Sequence, residues 1–320
     1  MTEARGLAIT PNASDMAIAE AGAGFDRASR AANTLRGYGS DLRQFEGWCA
    51  QHGRESRPAS AETVREYIAA LAVSGRKAST ITRHLSAIAA GHKLAGLPSP
   101  TSDETVKLRM IGVRNTLGTA PRQARALSVA DLKAMLAACP ADIHGLRDRA
   151  VLLVGFLGAL RRSELVSLDC SNVTVESDGL RIVIVKSKTD QEGRGRLVGL
   201  RRGRPGTDVV TAVAEWREAA GIEEGPLFRG IDRAGRIGER LSDRGVARIV
   251  QVAAKRAGID PERLSGHSLR AGLATSAARA GASERAIMNQ TGHSNLGMVR
   301  RYIRAGELLG PENVTNVLDL

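Results

Sequence analysis

The sequence predicts a mainly α-helical protein of two domains with one small antiparallel β-sheet in the second. Three observations carry this. Apolar residues recur at helical spacing through most of the chain, and the period switches to two only between about residues 173 and 200. A short, polar, basic stretch containing a proline, Leu117 to Arg125, divides the 320 residues into parts of domain size. With 42% hydrophobic residues, both parts can bury a core.

Residues 1–24 are rich in Ala, Gly, Ser and Thr without a sustained apolar period, and read as a flexible tail. A long helix is predicted from the Ser29–Thr34 region to about Gly53, with Leu35, Tyr38, Leu42, Phe45 and Cys49 on one face. Pro58 and Ser60 open a second, with Val64, Tyr67, Ile68 and Leu71 inward. Ser79 or Thr80 opens a third, with Ile81, Leu85, Ile88 and Leu94 inward and Gly96 and Pro98 closing it; a fourth covers about Ser102 to Asn115. Four such helices with short connections over residues 25–116 make an all-α unit. Arg36, Arg43, Arg76, Lys77, Arg83, His84, Lys93, Lys107, Arg109 and Arg114 give it a basic exterior.

Residues 117–126 read as the linker and 127–305 as the second domain. Ser128 caps a helix to about Cys139, and Ile143 to about Leu157 is a buried helix, too short in its apolar run to span a membrane. A short helix covers Arg161 to Leu168. Val173 to Val175, Leu180 to Val185 and Leu197 to Leu200 read as strands, the first two joined at Ser177-Asp178-Gly179, the last two by the charged connection Lys186 to Gly195. Helices follow over Thr207–Ala220 and Ser242–Ala257, with Gly225 to Gly238 between them as a loop. Ser265 then caps a helix to about Ala280, Gly281 stops it, Ser283 caps the next, Gly292 ends that one, and His293 lies in the turn beyond, before a last helix carrying Tyr302. The tail, residues 306–320, has a small apolar set (Leu308, Leu309, Val314, Val317, Leu318) that either docks on a neighbouring protomer or folds back on its own domain.

The formal net charge is +12, spread along the chain, which points to a polyanionic partner, nucleic acid first. A membrane-surface role wants a basic amphipathic helix with Trp or Phe on its other face, and aromatics are only 3%. Three widely spaced cysteines without CxxC or Cys/His pairing indicate neither a disulfide framework nor a zinc site. Together with the lack of a secretory leader pattern, they suit a reducing cytoplasm.

His267 and Arg270, three apart, leave one face of a helix's first turn, where backbone N–H groups favour an anion. With His293 and Tyr302 they suit phosphoryl transfer to a tyrosine. Of the three tyrosines, Tyr38 and Tyr67 fit apolar faces of the first domain, and Tyr302 has no such packing role. Arg161, emerging from the most apolar helix, has Glu164 three residues on to hold its guanidinium; alone, the two read as an ion pair.

Read together, Gly158-Ala159-Leu160-Arg161-Arg162-Ser163-Glu164-Leu165, Lys188 in Lys186-Ser187-Lys188-Thr189-Asp190, His267-Ser268-Leu269-Arg270, Gly292-His293 and Tyr302 nine residues later resemble the motifs of the tyrosine recombinases, or phage integrase family. The resemblance covers roughly residues 30 to 305. It implies a core-binding, SAM-like helical domain followed by a catalytic domain, which clamp duplex DNA between them. Guanidinium forks match phosphate geometry, so Arg161 and Arg270 suit the two non-bridging oxygens of a DNA phosphate, and Tyr302 suits the nucleophile. The resemblance further implies that Lys188 protonates the departing 5′ oxygen, with Lys186 as its competitor in the same loop, that His267 assists proton transfer and that His293 hydrogen-bonds the phosphate. The product is a 3′-phosphotyrosyl link, formed without ATP, metal or other cofactor. It also implies a homo-tetramer on two DNA sites passing through a Holliday junction, with accessory DNA-bending or partner recombinase proteins as further partners, and no membrane. Arg36, Arg43, Arg76, Lys77, Arg83, Arg114 and Arg248 are the candidate DNA contacts. The length fits the simpler Xer-like, plasmid-resolving or transposon-borne members. The rival readings are a type IB topoisomerase-like nicking activity and a non-catalytic architectural DNA binder. The target DNA sequence is not legible, because phosphate contacts carry no base information.

Overall fold

The computed structural model describes residues 32–119, 124–185, 195–293 and 295–307, in two units, Met1–Pro121 and Arg122–Leu320. The predicted tail over residues 1–24, both candidate lysines, Lys186 and Lys188, and the tail from residue 308 lie outside the described residues.

In the first unit, helices α1 (Ala32–Gln51), α2 (Ala61–Val73), α3 (Ala78–Leu94) and α4 (Glu104–Leu117) pack with α1 against α3 and α2 against α4. Ser60 caps α2 by accepting from the Thr63 amide, and Asp103 caps α4 through Thr105. Phe45, Val64, Ile68, Ile81 and Ile88 fill the core.

Helix α3 departs from expectation in three ways. It begins at Ala78, with Lys77 at the cap position and no side-chain cap. Leu94, expected inward, is 90% exposed, because the buried stripe runs through Ile81, His84, Ile88 and Gly91 and passes Leu94 by. His84, expected on the basic exterior, is a core residue. Its Nδ1 meets the Tyr67 hydroxyl at 3.1 Å and its Nε2 lies 3.4 Å from the buried Asp41 carboxylate, partners that make a polar ring tolerable inside. Burial holds its pKa below the ordinary histidine value, ahead of the opposing pull of Asp41.

In the second unit, α5 (Val129–Ala137) starts from a capping box between Ser128 and Asp131. Helix α6 (Ile143–Leu157) is buried along nearly its whole length and forms the centre of the larger core. After α7 (Arg162–Ser167), strands β1 (Val173–Glu176), β2 (Gly179–Ile184) and β3 (Arg196–Arg201) form an antiparallel sheet in the order β1-β2-β3. Glu176 pairs with Gly179 across the two-residue turn, and Ile184 with Arg196 across the longer connection. Helix α8 (Val209–Ala219) buries Trp216, whose indole N–H donates to the Leu227 carbonyl at 2.8 Å. The stretch expected as a loop, Gly225 to Gly238, holds β4 (Arg229–Ile231) and the start of β5 (Ile237–Arg240), which form a second antiparallel pair. Its strands are too short, and too interrupted by glycine, to show a period of two.

Helices α9 (Asp243–Arg256), α10 (Gly266–Arg279), α11 (Glu284–Thr291) and α12 (Leu296–Glu307) complete the unit, with α10 packed against both α6 and α12. A glycine allows α10 to approach closely: a Cβ at Gly272 would sit 2.2 Å from the Leu127 carbonyl oxygen. Among the described residues no helix is long and apolar enough to cross a membrane. All three cysteines are reduced and buried; burial pushes the Cys139 thiol up to about 11 and also raises that of Cys49.

Candidate active site

The expected punctuation of the last helices holds. Ser265 caps α10, Ser283 caps α11, and Gly292 ends α11 in the left-handed region at φ 64°. This folding places His267 and Arg270 on the first turn of α10 and His293 just past α11, with Tyr302 facing them from α12. The Tyr302 hydroxyl lies 3.1 Å from His267 Nε2. Arg270, 1% exposed, donates from Nη1 to the Ala159 carbonyl at 2.7 Å and from Nη2 to His293 Nε2 at 3.0 Å. Two of its five N–H bonds are thus engaged, leaving the rest of the fork for an anion.

Arg161 arrives from the turn after α6. Its backbone N–H donates to Glu164 Oε2 at 3.0 Å, and its Nη1 to Oε1 at 2.6 Å. Nη2 reaches the Gly292 carbonyl at 3.4 Å, which ties it to the turn carrying His293. The turn is sharp because Ala159 sits at φ 46°, a left-handed conformation costing a non-glycine residue about 1–2 kcal/mol. That strain aims the carbonyl that holds Arg270.

Five of the six predicted catalytic residues therefore converge: Arg161, His267, Arg270, His293 and Tyr302. Glu164, the predicted supporting residue, is 1% exposed and serves more than Arg161. Its Oε2 also accepts from Arg196 Nη2 at 3.1 Å. Burial raises the Glu164 pKa, but the backbone and guanidinium hydrogen bonds of Arg161 outweigh it, and the carboxylate stays below its ordinary range.

Tyr302 is better packed than its sequence suggested. Its ring lies against a small cluster of Ala274, Ala278, Ile287 and Val299, so it has a core role as well as a hydroxyl hydrogen-bonded to His267. Burial raises its pKa against the pull of Arg270, and the phenol keeps its proton at neutral pH. His267, open to solvent on one side, is held below the ordinary histidine value by loss of water around the ring, then by Arg270. His293 is pushed down to about 4 by burial, then by Arg270 and Arg161. Arg270 is lowered to about 10 by burial, then by Arg161, and remains charged at neutral pH. The site is a cationic pocket with two neutral imidazoles and a protonated phenol.

Sequence reasoning missed Arg196 and Thr291. Arg196 opens β3, one residue ahead of the predicted strand and outside any motif. Besides Glu164 it donates to the Gln290 carbonyl at 2.9 Å and lies so close under Gly292 that a Cβ there would meet its Nε at 2.7 Å. Thr291 hydrogen-bonds His293 from a fully buried position. No local signal marks either, because their partners come from other elements or through a turn.

The candidate DNA contacts Arg36, Arg43, Arg76, Lys77, Arg83 and Arg114 are exposed on the first unit, and Arg248 on α9 of the second. Arg83 is committed in part: its Nε and Nη2 grip both oxygens of Asp41, at 2.7 and 2.9 Å.

Residues 125–307 match the model of the phage integrase family, and residues 25–95 that of the phage integrase N-terminal SAM-like domain. An integrase/recombinase xerD homolog of Selenomonas ruminantium is 37% identical over 287 residues, 88% of this chain and 84% of that one. The recombinase cre of Escherichia phage P1 is 28% identical over 300 residues, covering 87% of this chain and 86% of its own. Among solved structures, the fold is similar to that of the Tn1549 transposon integrase in complex with transposon right end DNA, with TM-score 0.63, 17% identity, and 87% and 90% of the two chains covered. A lambda integrase dimer bound to a COC′ core site gives TM-score 0.58 at 16% identity, over 86% and 89%.

Proposed function

Since the chain belongs to the phage integrase family and is a tyrosine-type site-specific recombinase, we propose that it cuts and rejoins double-stranded DNA through a 3′-phosphotyrosyl intermediate on Tyr302. One observation carries this reading: the Tyr302 hydroxyl, hydrogen-bonded to His267, stands in the same pocket as the Arg161 and Arg270 guanidiniums.

The chemistry follows from the charges. Tyr302 is protonated at rest and needs a base, and His267 Nε2, neutral at pH 7, is placed to take the proton as the phenolic oxygen attacks phosphorus. Arg161 and Arg270 hold the non-bridging oxygens as negative charge builds on them, and His293 completes the anion site beside Arg270. The bond from phosphorus to the 5′ oxygen breaks, and Lys188 gives that oxygen a proton. Attack by a 5′ hydroxyl reverses each step, and because the phosphotyrosyl link keeps the energy of the phosphodiester, no ATP is consumed.

Exchange between two duplexes needs four attacks, which a homo-tetramer on two sites supplies through a Holliday junction. The exposed arginines and Lys77 of the first unit, with Arg248, follow the phosphate backbone. A DNA substrate puts the reaction in the cytoplasm, with accessory DNA-bending or partner recombinase proteins as candidate participants.

The test is covalent capture. A pool of nicked duplexes with randomised arms is incubated with wild type and with Tyr302→Phe, and adducts are resolved on a denaturing gel and sequenced. Wild type alone should give a protein–DNA band of defined sequence. DNA retention by both proteins without an adduct from wild type would sink the enzymatic reading in favour of a non-catalytic binder.

A further inference from the structure

Arg83 is held in a way that a phosphate contact does not require. Its side chain is 55% exposed on α3, yet its Nε and Nη2 donate to both oxygens of Asp41, at 2.7 and 2.9 Å, and that carboxylate is fully buried. His84 Nε2, 3.4 Å from Asp41 Oδ1, backs the carboxylate from the core. The side of the guanidinium is thus engaged. Its end, one N–H each from Nη1 and Nη2, points away from Asp41 and has no other acceptor among the described residues. A cation neutralised by a carboxylate in contact with it displaces few counterions, so the pair adds little to phosphate affinity. The N–H bonds at its end remain donors, aligned in advance and with their rotamer entropy already lost. Such an edge matches O6 and N7 of guanine in the major groove, neutral acceptors that need aligned donors more than net charge. The surroundings suit a groove as well. Ser79 and Ser86 lie one turn to either side of Arg83, and Ser40 and Arg43 are on α1, the helix packed beside α3. Short side chains there let both helices approach base edges. Helices α2 and α4 instead expose Val73, Leu108 and Ile111, apolar groups with nothing to offer a phosphate.

We propose that Arg83 is a specificity-determining residue: aimed by the buried Asp41, it reads one guanine per bound protomer through the major groove. This rests on the recombinase reading above and changes one role within it, since the other exposed arginines of the first unit follow phosphates. Two substitutions separate the two roles. Arg83→Lys keeps the charge and its ion pair with Asp41, and so preserves the fold, but an ammonium is a single nitrogen and cannot grip the carboxylate and a base together. Asp41→Asn keeps Arg83 and leaves the surface one positive charge richer. It offers one acceptor where there were two, so the guanidinium is no longer aimed.

The test is sequence selection by the full-length proteins. Intact duplexes with randomised arms are retained on each protein and sequenced, and affinities for chosen duplexes are measured over a range of salt. Wild type should select a guanine at a fixed position. Arg83→Lys should lose at least about fivefold of that preference, the low end of what a bidentate contact to guanine discriminates, while the slope of log affinity against log salt stays the same. Asp41→Asn should lose the same preference while binding unselected DNA at least as tightly as wild type. Replacing the selected guanine by 7-deazaguanine, which lacks the N7 acceptor, should weaken wild type and leave Arg83→Lys unmoved. If Asp41→Asn does not fold, Arg83→Lys and the modified base decide. An unchanged base preference in Arg83→Lys, or an affinity loss spread evenly over all sequences, would overturn the proposal and make Arg83 a phosphate contact. So would a lost preference for a base other than guanine, or a wild type that selects no sequence. Adduct formation is not read here. A guanine preference that depends on Arg83, in a protein that never forms an adduct, would support this proposal and sink the recombinase reading alone.

Discussion

Acidification should destabilise the second unit through His293, by an amount the pocket sets. Burial and the two arginines hold this ring at about 4, against 6.5 for an ordinary histidine. A folded-state pKa below the unfolded one means that the native protein binds fewer protons between those values. The contribution is therefore whole above about pH 6.5 and is lost as the pH falls through about 4. At about 1.4 kcal/mol per pH unit, the gap corresponds to about 3 kcal/mol, a large part of a typical domain's 5–15 kcal/mol. The measurement is urea unfolding from pH 7 to pH 4 for the wild type and His293→Gln, both carrying Trp48→Phe. The chain has two tryptophans, so the buried Trp216 then reports on the second unit alone. His267 titrates with the same sign in both proteins and drops out of the difference. The wild type should lose about 3 kcal/mol more than the variant over this range. Parallel curves for the two proteins would refute the argument that the guanidiniums and burial keep His293 neutral.

Two further outcomes follow from the same pocket. Glu164→Gln leaves the Arg161 and Arg196 guanidiniums, each 19% exposed, without their shared anion, and should cost about 3–5 kcal/mol of stability in urea unfolding as well as slowing adduct formation. Ala159→Gly relieves about 1–2 kcal/mol of left-handed strain but frees the unfolded chain by a similar amount, so the midpoint should move by less than about 1 kcal/mol; a loss beyond about 2 would contradict the role given to φ at this position.

How legible the site was depended on whether a residue's role is local. Ser265, Ser283 and Gly292 are recognised by what they do to the next few backbone groups, and the caps fall where the sequence put them. Arg270, Glu164 and Tyr302 were found by motif spacing, yet the partners that fix them were not. Arg270 bonds a carbonyl 111 positions earlier, and Arg196 a carbonyl 94 positions later, links that only the packing of α10 and α11 against the turn after α6 creates. His84 shows the converse error. A histidine among arginines reads as surface until Asp41 and Tyr67 are seen on either side of it. The β4–β5 pair was invisible because strands of three and four residues carry too little pattern to count.

The burial of Cys49, Cys139 and Cys170 has a practical use. Thiol reagents need an accessible thiolate, and none of the three native sulfurs offers one. A single cysteine introduced at Leu94 and another at Val175, both on open surface, would react in their place. A donor and acceptor dye attached there would report the separation of the two units in solution, and its change as DNA is added, without first stripping the native cysteines from the chain.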